Sequence, residues 1–181
     1  MIFAILLAAA TPAAAAPQTD YLAAIRAGKL LCSNPDSVRK TCTTIDIITQ
    51  AADGTLTSTS ETLVAPVPPV TLEVSSTVHV DGATNCGVVD LDDLKKGRLR
   101  VNGELLPPDR NAVALGQIAE KLSFLAGHKA CETLHNEGGQ LMKSAMMEGI
   151  DTKLPDKPVA WIVAADGYKV APPPAPQVPK S

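Results

Sequence analysis

The sequence is poor in aromatic residues: its 181 residues include one Trp, two Tyr and two Phe. Faces that bind carbohydrate or single-stranded nucleic acid usually stack their ligands on aromatic rings, so this scarcity argues against both kinds of protein. The sequence also lacks an excess of positive charge, with 16 Lys and Arg against 19 Asp and Glu and no basic stripe. Nucleic-acid binding needs clustered positive charge to displace counterions, and we therefore expect no nucleic-acid partner.

A long apolar run is missing as well, since a membrane-spanning helix needs about 20 such residues. The apolar run over residues 2–10 is shorter and is followed by small residues. This pattern is typical of a secretory signal peptide. Ala13 and Ala15 supply the small side chains that cleavage requires, so we expect a signal peptide over residues 1–15 and a mature chain that begins at Ala16. We predict no membrane span and a periplasmic or secreted location.

Several catalytic signatures are absent. The sequence has no Cys-x-x-Cys motif, no Gly-x-Ser-x-Gly motif and no glycine-rich phosphate loop. These motifs mark thiol oxidoreductases, many serine hydrolases and nucleotide-binding proteins. Ser76 and His79 lie on opposite faces of a predicted strand and cannot form a dyad there. We therefore predict no catalytic residue and no cofactor.

Three acidic residues stand close together at Asp90, Asp92 and Asp93. They could offer oxygen ligands to calcium, but this loop lacks the glycine and the distal glutamate of an EF-hand. Acidic residues at a helix start are already favoured by the helix dipole. We interpret them as the first turn of a short helix.

The four cysteines are Cys32, Cys42, Cys86 and Cys131. An even number in an exported chain predicts two disulfides, for which three pairings are possible. We favour Cys32 with Cys42, because this pair brackets a turn-rich loop that is easily closed. The other pair, Cys86 with Cys131, would tie the loop after a strand to the segment after the main helix.

Short β-rich segments dominate the chain beyond the leader. The clearest alternation of apolar and polar residues covers residues 70–80 and indicates a strand with one buried face. Asn102-Gly103 predicts a hairpin turn, and Pro107-Pro108 leads into a main helix at about residues 109–126. Trp161, the sole tryptophan, is expected to anchor the core beneath the sheet.

This order of elements predicts an α+β fold, in which an antiparallel sheet of about five to six strands packs on one main helix. We expect one such domain over residues 16–170. The proline-rich residues 171–181 are expected to form a disordered tail.

A cluster of possible metal ligands is formed by His128, Cys131 and His135. Two imidazoles and a thiolate could hold zinc or copper, with a fourth ligand from Glu132, Glu137 or a distant residue. A disulfide at Cys131 would take the thiolate out of this set. We therefore predict no metal ligand and keep a metal site that uses His128 and His135 as the alternative.

The chain resembles small secreted proteins of alphaproteobacteria whose function is not known. The resemblance is carried by the leader and by a set of short motifs: Asp20-Tyr21-Leu22, Cys32-Ser33-Asn34-Pro35, Thr41-Cys42, Asn85-Cys86-Gly87, Cys131, Trp161 and Asp166-Gly167-Tyr168. It implies an exported bacterial protein and brings no activity, so no functional residue is carried over from it.

The sequence therefore favours an exported, disulfide-stabilised and non-catalytic envelope protein that binds an unknown partner or small ligand. The alternative is a metal-dependent enzyme or metal-binding protein that uses His128 and His135.

Overall fold

The computed structural model describes residues 18–150 and 154–174. The predicted signal peptide over residues 1–15 and the tail residues 175–181 lie outside the described residues. Where the tail is described, Ala171 donates its backbone N–H to the carbonyl oxygen of Cys42 at 3.0 Å. Among the described residues, no helix combines the length and the hydropathy that a membrane crossing requires.

Strands make up most of the described chain. They are β1 (Leu30–Ser33), β2 (Thr41–Cys42), β3 (Thr44–Gln50), β4 (Leu56–Pro66), β5 (Pro69–Asp81), β6 (Thr84–Val88), β7 (Arg98–Val101), β8 (Glu104–Leu105), β9 (Lys129–Glu137), β10 (Gln140–Met147), β11 (Lys157–Ile162) and β12 (Lys169–Val170). The α-helices are α1 (Tyr21–Arg26), α2 (Leu91–Lys95) and α3 (Pro108–Lys121). Short 3₁₀ turns lie at Ser123–Leu125 and Ala164–Asp166.

Eight of these strands form a closed antiparallel barrel. Around the barrel they follow the order β1, β3, β4, β5, β6, β9, β10 and β11, which is also their order along the chain. The ring is closed by β11, which pairs with β1 so that Leu31 lies opposite Trp161. β7 and β8 extend the sheet beyond β5, and β12 pairs with β2 in a separate two-stranded sheet.

The predicted α+β fold is therefore wrong. The sheet has no open apolar face for a helix to cover, because the inward face of each barrel strand packs against the inward faces of the others. The main helix is present as α3, with Leu115 and Ala119 buried, but it packs against α2 and β7, which is not one of the eight barrel strands. Asn111 fixes α3 to β7, since its side chain accepts a hydrogen bond from the Leu99 N–H and donates one to the carbonyl of Gly97.

An apolar core fills one end of the barrel. Its buried residues are Tyr21, Leu31, Ile48, Leu56, Val80, Leu134, Leu141 and Val159. α1 closes this end: the Tyr21 N–H donates to the carbonyl of Gly82 at 3.0 Å, and the Tyr21 ring meets that of Trp161 edge-on at 5.6 Å. Trp161 is partly buried, packs against this core and donates its Nε1–H to the Gln18 carbonyl.

Both predicted disulfides are confirmed. Cys32 is joined to Cys42, and Cys86 to Cys131. The first is buried outside the barrel, in a second apolar cluster with Ile162. The second links directly opposed residues of β6 and β9 on the outer face of the barrel.

Other local expectations are also confirmed. Residues 70–80 lie within β5. Asn102 and Gly103, both with positive φ, form the tight turn between β7 and β8, as this residue pair favours.

Candidate functional site

Three charged side chains meet inside the barrel and form what we call the inner ion cluster. It consists of Asp46, Glu132 and Lys143. Lys143 Nζ lies 2.8 Å from Glu132 Oε1 and 3.4 Å from Asp46 Oδ2. The side chains of Lys143 and Asp46 are 6% and 9% exposed, whereas that of Glu132 is 34% exposed. The cluster is thus buried at one end and reaches solvent through Glu132.

Strand register places these side chains on the inner face. Asp46 on β3 lies opposite the inward-facing Leu31 and also opposite Ser60 on β4, whose hydroxyl donates to Asp46 Oδ1. Lys143 on β10 lies opposite the buried core residue Leu134, which is two residues from Glu132 on β9. Because side chains alternate along a strand, all three charged groups share the barrel interior.

The two carboxylates of the cluster determine the protonation state of Lys143. Burial alone would lower the pKa of Lys143, but the Asp46 and Glu132 carboxylates and their hydrogen bonds outweigh it and raise the pKa above its usual value. Lys143 therefore stays an ammonium ion near neutral pH. One ammonium ion against two carboxylates leaves the cluster with a formal charge of −1 when both are ionised.

Two polar atoms near the cluster lack hydrogen-bond partners among the described residues. These buried atoms are the Tyr21 hydroxyl and Asn85 Oδ1. Tyr21 is 1% exposed, and its pKa is raised first by burial and then by the charges of Glu132 and Asp46. Asn85 is the register partner of Glu132 across β6 and β9. Buried polar groups are normally paired with protein or with water, so these atoms add polar positions to the interior beside the inner ion cluster.

A cleft of about 250 Å³, which we call the mouth cleft, is lined in part by residues on the inward faces of β5, β6 and β9. Small or apolar side chains from the barrel and from the helices line it, among them Val74, Ser76, Gly87, Leu94, Leu122 and Ala130. Gly87 and Ala130 are a register pair, and the next inward-facing pair deeper in the barrel is Asn85 with Glu132. On β9, the inner ion cluster therefore begins one inward position beyond the cleft residue Ala130.

A larger cleft of about 700 Å³ lies beside the mouth cleft. The two share Val88, Val89, Asp90 and Asp93 as lining residues. Asp90 caps α2 by accepting a hydrogen bond from the Asp92 N–H, and Asp92 and Asp93 pair with Lys95 and Lys96. The acidic residues at the start of this short helix thus have the structural role that the sequence predicts, and they also add negative charge at the rim.

A second group of charged residues, the outer triad, lies on the outside of the barrel. It consists of His135, Glu137 and Asp156, each of which places a possible ligand atom within 4.8 Å of the others. His135 Nε2 is 3.2 Å from Asp156 Oδ2. These side chains could hold a metal ion.

The structure does not bring His128 and His135 together. His128 Nδ1 contacts the carbonyl oxygen of Glu148 at 2.9 Å, at the other end of β9 from His135. Cys131 is in a disulfide and has no thiolate to offer. Of the predicted ligand set, His135 and Glu137 are close to one another, and Asp156 is the distant residue that joins them.

Sequence reasoning missed the inner ion cluster. Its signal is a charged residue at an inward position of a strand, as in Thr44-Ile45-Asp46-Ile47-Ile48. That signal is visible only once the face of each strand is known. Tyr21 could not be linked from the sequence to Glu132 and Lys143, which are more than a hundred positions away.

Comparison with known proteins finds no matching family model, no similar curated protein and no similar solved structure.

Proposed function

We propose that this protein is an exported, non-catalytic binding protein whose barrel holds a small organic cation with an apolar body. The observation that carries the proposal is the inner ion cluster, whose partly exposed Glu132 is the next inward residue on β9 after Ala130, a residue that lines the mouth cleft.

Export is supported by the covalent structure. Both disulfides are formed, and all four cysteines are used in them. Disulfides persist in oxidising compartments and are rare in the cytosol. Together with the predicted signal peptide, they favour a periplasmic or secreted protein, in line with the resemblance to secreted bacterial proteins.

The sign of the ligand charge follows from the inner ion cluster. Lys143 is one positive charge held between two carboxylates, and the Glu132 carboxylate is partly exposed. Asn85 Oδ1 adds an acceptor without a partner among the described residues. A partly exposed carboxylate and an amide oxygen in a cluster with excess negative charge suit a ligand that donates N–H hydrogen bonds, such as an amine.

The shape of the ligand follows from the mouth cleft. Val74, Leu94, Leu122 and Ala130 would contact an alkyl chain, while Asp90 and Asp93 carry negative charge at the rim. Binding sites for small molecules are commonly apolar with a few placed polar groups. A short alkylamine would place its ammonium group at Glu132 and its chain against the apolar wall.

The state of Lys143 favours binding over catalysis. A catalytic lysine acts as a neutral amine, which requires a depressed pKa. The two carboxylates act on Lys143 in the opposite direction and raise its pKa. Lys143 therefore orients and balances Glu132 and does not attack a substrate.

The test is titration of the disulfide-bonded protein with hexylamine, followed by amide chemical shifts, with hexanol and hexanoate as probes of equal chain length. We expect shifts centred on residues 85–87 and 130–132, with hexylamine binding at least about tenfold tighter than either control probe. Glu132→Gln should remove this preference because it deletes the carboxylate. Glu137→Gln, the same change on the outer face of the same strand, should leave it intact.

Two results would overturn the proposal. Shifts that are scattered over the surface, or absent at millimolar hexylamine, would show that the barrel is not a binding site. Equal binding of the three probes, or equal binding by Glu132→Gln, would show that Glu132 does not select a cation.

A further inference from the structure

The outer triad is assembled from two separate parts of the chain. His135 and Glu137 are two residues apart on β9, so their side chains project from the same face of the sheet. Asp156 comes from the segment that enters β11. Nothing in the amino-acid sequence links Asp156 to the other two.

Strand register explains why the three side chains meet. β10 lies between β9 and β11, and Met142 pairs with His135 on one side and with Pro158 on the other. Asp156 precedes Pro158 by two residues. Its side chain therefore lies on the same outer face as that of His135. The backbone of His135 and Glu137 is paired with β10, and Asp156 lies directly before the first residue of β11.

The spacing of the ligand atoms suits a single metal ion. With metal–ligand bonds of about 2.0–2.2 Å, neighbouring ligand atoms of a tetrahedral zinc site are about 3.4 Å apart. His135 Nε2 and Asp156 Oδ2 are 3.2 Å apart, and Glu137 lies within the same 4.8 Å group. A small adjustment of exposed side chains would bring all three onto one ion.

The charge of the triad favours a divalent cation. Glu137 forms no ion pair with any residue that the structure describes, and His135 is the basic group beside Asp156. When the imidazole is neutral, the two carboxylates give the triad a formal charge of −2. An imidazole with two carboxylates suits zinc and similar first-row divalent ions better than calcium or magnesium, which take oxygen ligands.

From this geometry we propose that His135, Glu137 and Asp156 bind a divalent transition-metal ion of the zinc class on the outer face of the barrel, with water at the remaining positions. The site differs from the pair His128 and His135 that the sequence suggests, and it keeps only His135 from that pair. It is independent of the cation site inside the barrel, because Glu132 and Glu137 lie on opposite faces of β9.

The test is calorimetric titration of the tag-free, disulfide-bonded protein with Zn²⁺, with Ca²⁺ and Mg²⁺ as comparison ions. We expect one Zn²⁺ per chain, with shifts of the His135 ring resonances. His135→Ala, Glu137→Gln and Asp156→Asn should each weaken binding by at least about tenfold. His128→Ala and Glu132→Gln should bind Zn²⁺ as the wild type does, since both residues lie away from the triad.

Two kinds of result would overturn the proposed zinc site. If the wild type takes up no stoichiometric Zn²⁺, or if Ca²⁺ binds as tightly, the proposed site is wrong. If His128→Ala weakens binding as much as His135→Ala, the ion is held by another set of ligands. Because all five substitutions are at exposed or half-exposed side chains, folding of each variant can be verified by the amide spectrum before titration.

Discussion

The two faces of β9 carry the same kinds of residue and use them differently. On the inner face, Glu132 pairs with Lys143, which is only 6% exposed. On the outer face, His135 pairs with Asp156, and these side chains are 37% and 41% exposed. An inner charge that loses its partner remains buried, whereas an outer charge regains water. The same strand therefore supports a pre-organised cluster inside and an adaptable set of ligands outside.

The effect of burial on a charge is tested most sharply by removing the buried and the exposed lysine of one register pair. Lys143→Met leaves the Asp46 and Glu132 carboxylates close together without a cation, and we expect the free energy of unfolding to fall by about 3–5 kcal/mol. Lys157 is the register partner of Lys143 on β11 but is exposed. Lys157→Met should change stability by less than about 0.5 kcal/mol. Urea unfolding of both variants at neutral pH gives the two values.

Equal losses in these two variants would contradict the comparison. They would show that position in the sheet, and not the ion cluster, sets the cost of removing Lys143.

The ring of strands shows how far sequence reasoning can reach. Local pairings follow from local signals: alternation identifies β5, and Asn102-Gly103 identifies the β7–β8 turn. Closure depends on β1 and β11, which pair Leu30 with Ile162 although they are far apart in sequence. An open sheet and a closed barrel give the same alternation along each strand, so the pattern cannot distinguish them. The α+β prediction failed at this point.

The inner ion cluster could not be predicted from the sequence for the same reason. Asp46, Glu132 and Lys143 come from three strands, and they meet only because the sheet closes. The disulfides were easier to predict, because the cysteines are few and one pairing closes a short loop. His135 and Glu137 could be grouped from the sequence because they are two residues apart. Linking Asp156 to them required the register of β10.

The second prediction concerns the disulfide that joins β6 to β9. Cys86 and Cys131 are opposed on the outer face, and the adjacent inward pair is Asn85 with Glu132. Replacing both cysteines by alanine should lower the free energy of unfolding by about 2–4 kcal/mol under oxidising conditions, because the unfolded chain regains the freedom of the closed loop. The double substitution should also weaken hexylamine binding, because the disulfide no longer holds the adjacent inward pair, Asn85 and Glu132, in place. Thermal or urea unfolding measures the first effect.

Reduction provides the control for this variant. With a reductant, the wild type should lose stability and approach the variant. Equal stability of the two proteins in oxidising buffer would show that this bridge does not stabilise the fold.

The smallest expected effect belongs to the Tyr21 hydroxyl, which lies beside the inner ion cluster without a hydrogen-bond partner in the described part of the chain. At neutral pH, Tyr21→Phe should change the free energy of unfolding by no more than about 1 kcal/mol, and in the stabilising direction if the hydroxyl is unsatisfied in solution. The pKa of Tyr21 is raised, so the folded protein keeps the proton while the unfolded chain releases it near pH 10.

The sign of the pH effect follows from this difference. The stability linked to Tyr21 is fully present below about pH 10 and falls by about 1.4 kcal/mol per pH unit above it. The raised pKa of Lys143 acts in the same direction at high pH. Tyr21→Phe should therefore lose less stability than the wild type in urea unfolding between about pH 9 and pH 12. Tyr168→Phe, a change in the outer apolar cluster, is the matched control. A wild-type slope retained by Tyr21→Phe would show that Tyr21 does not contribute to the alkaline transition.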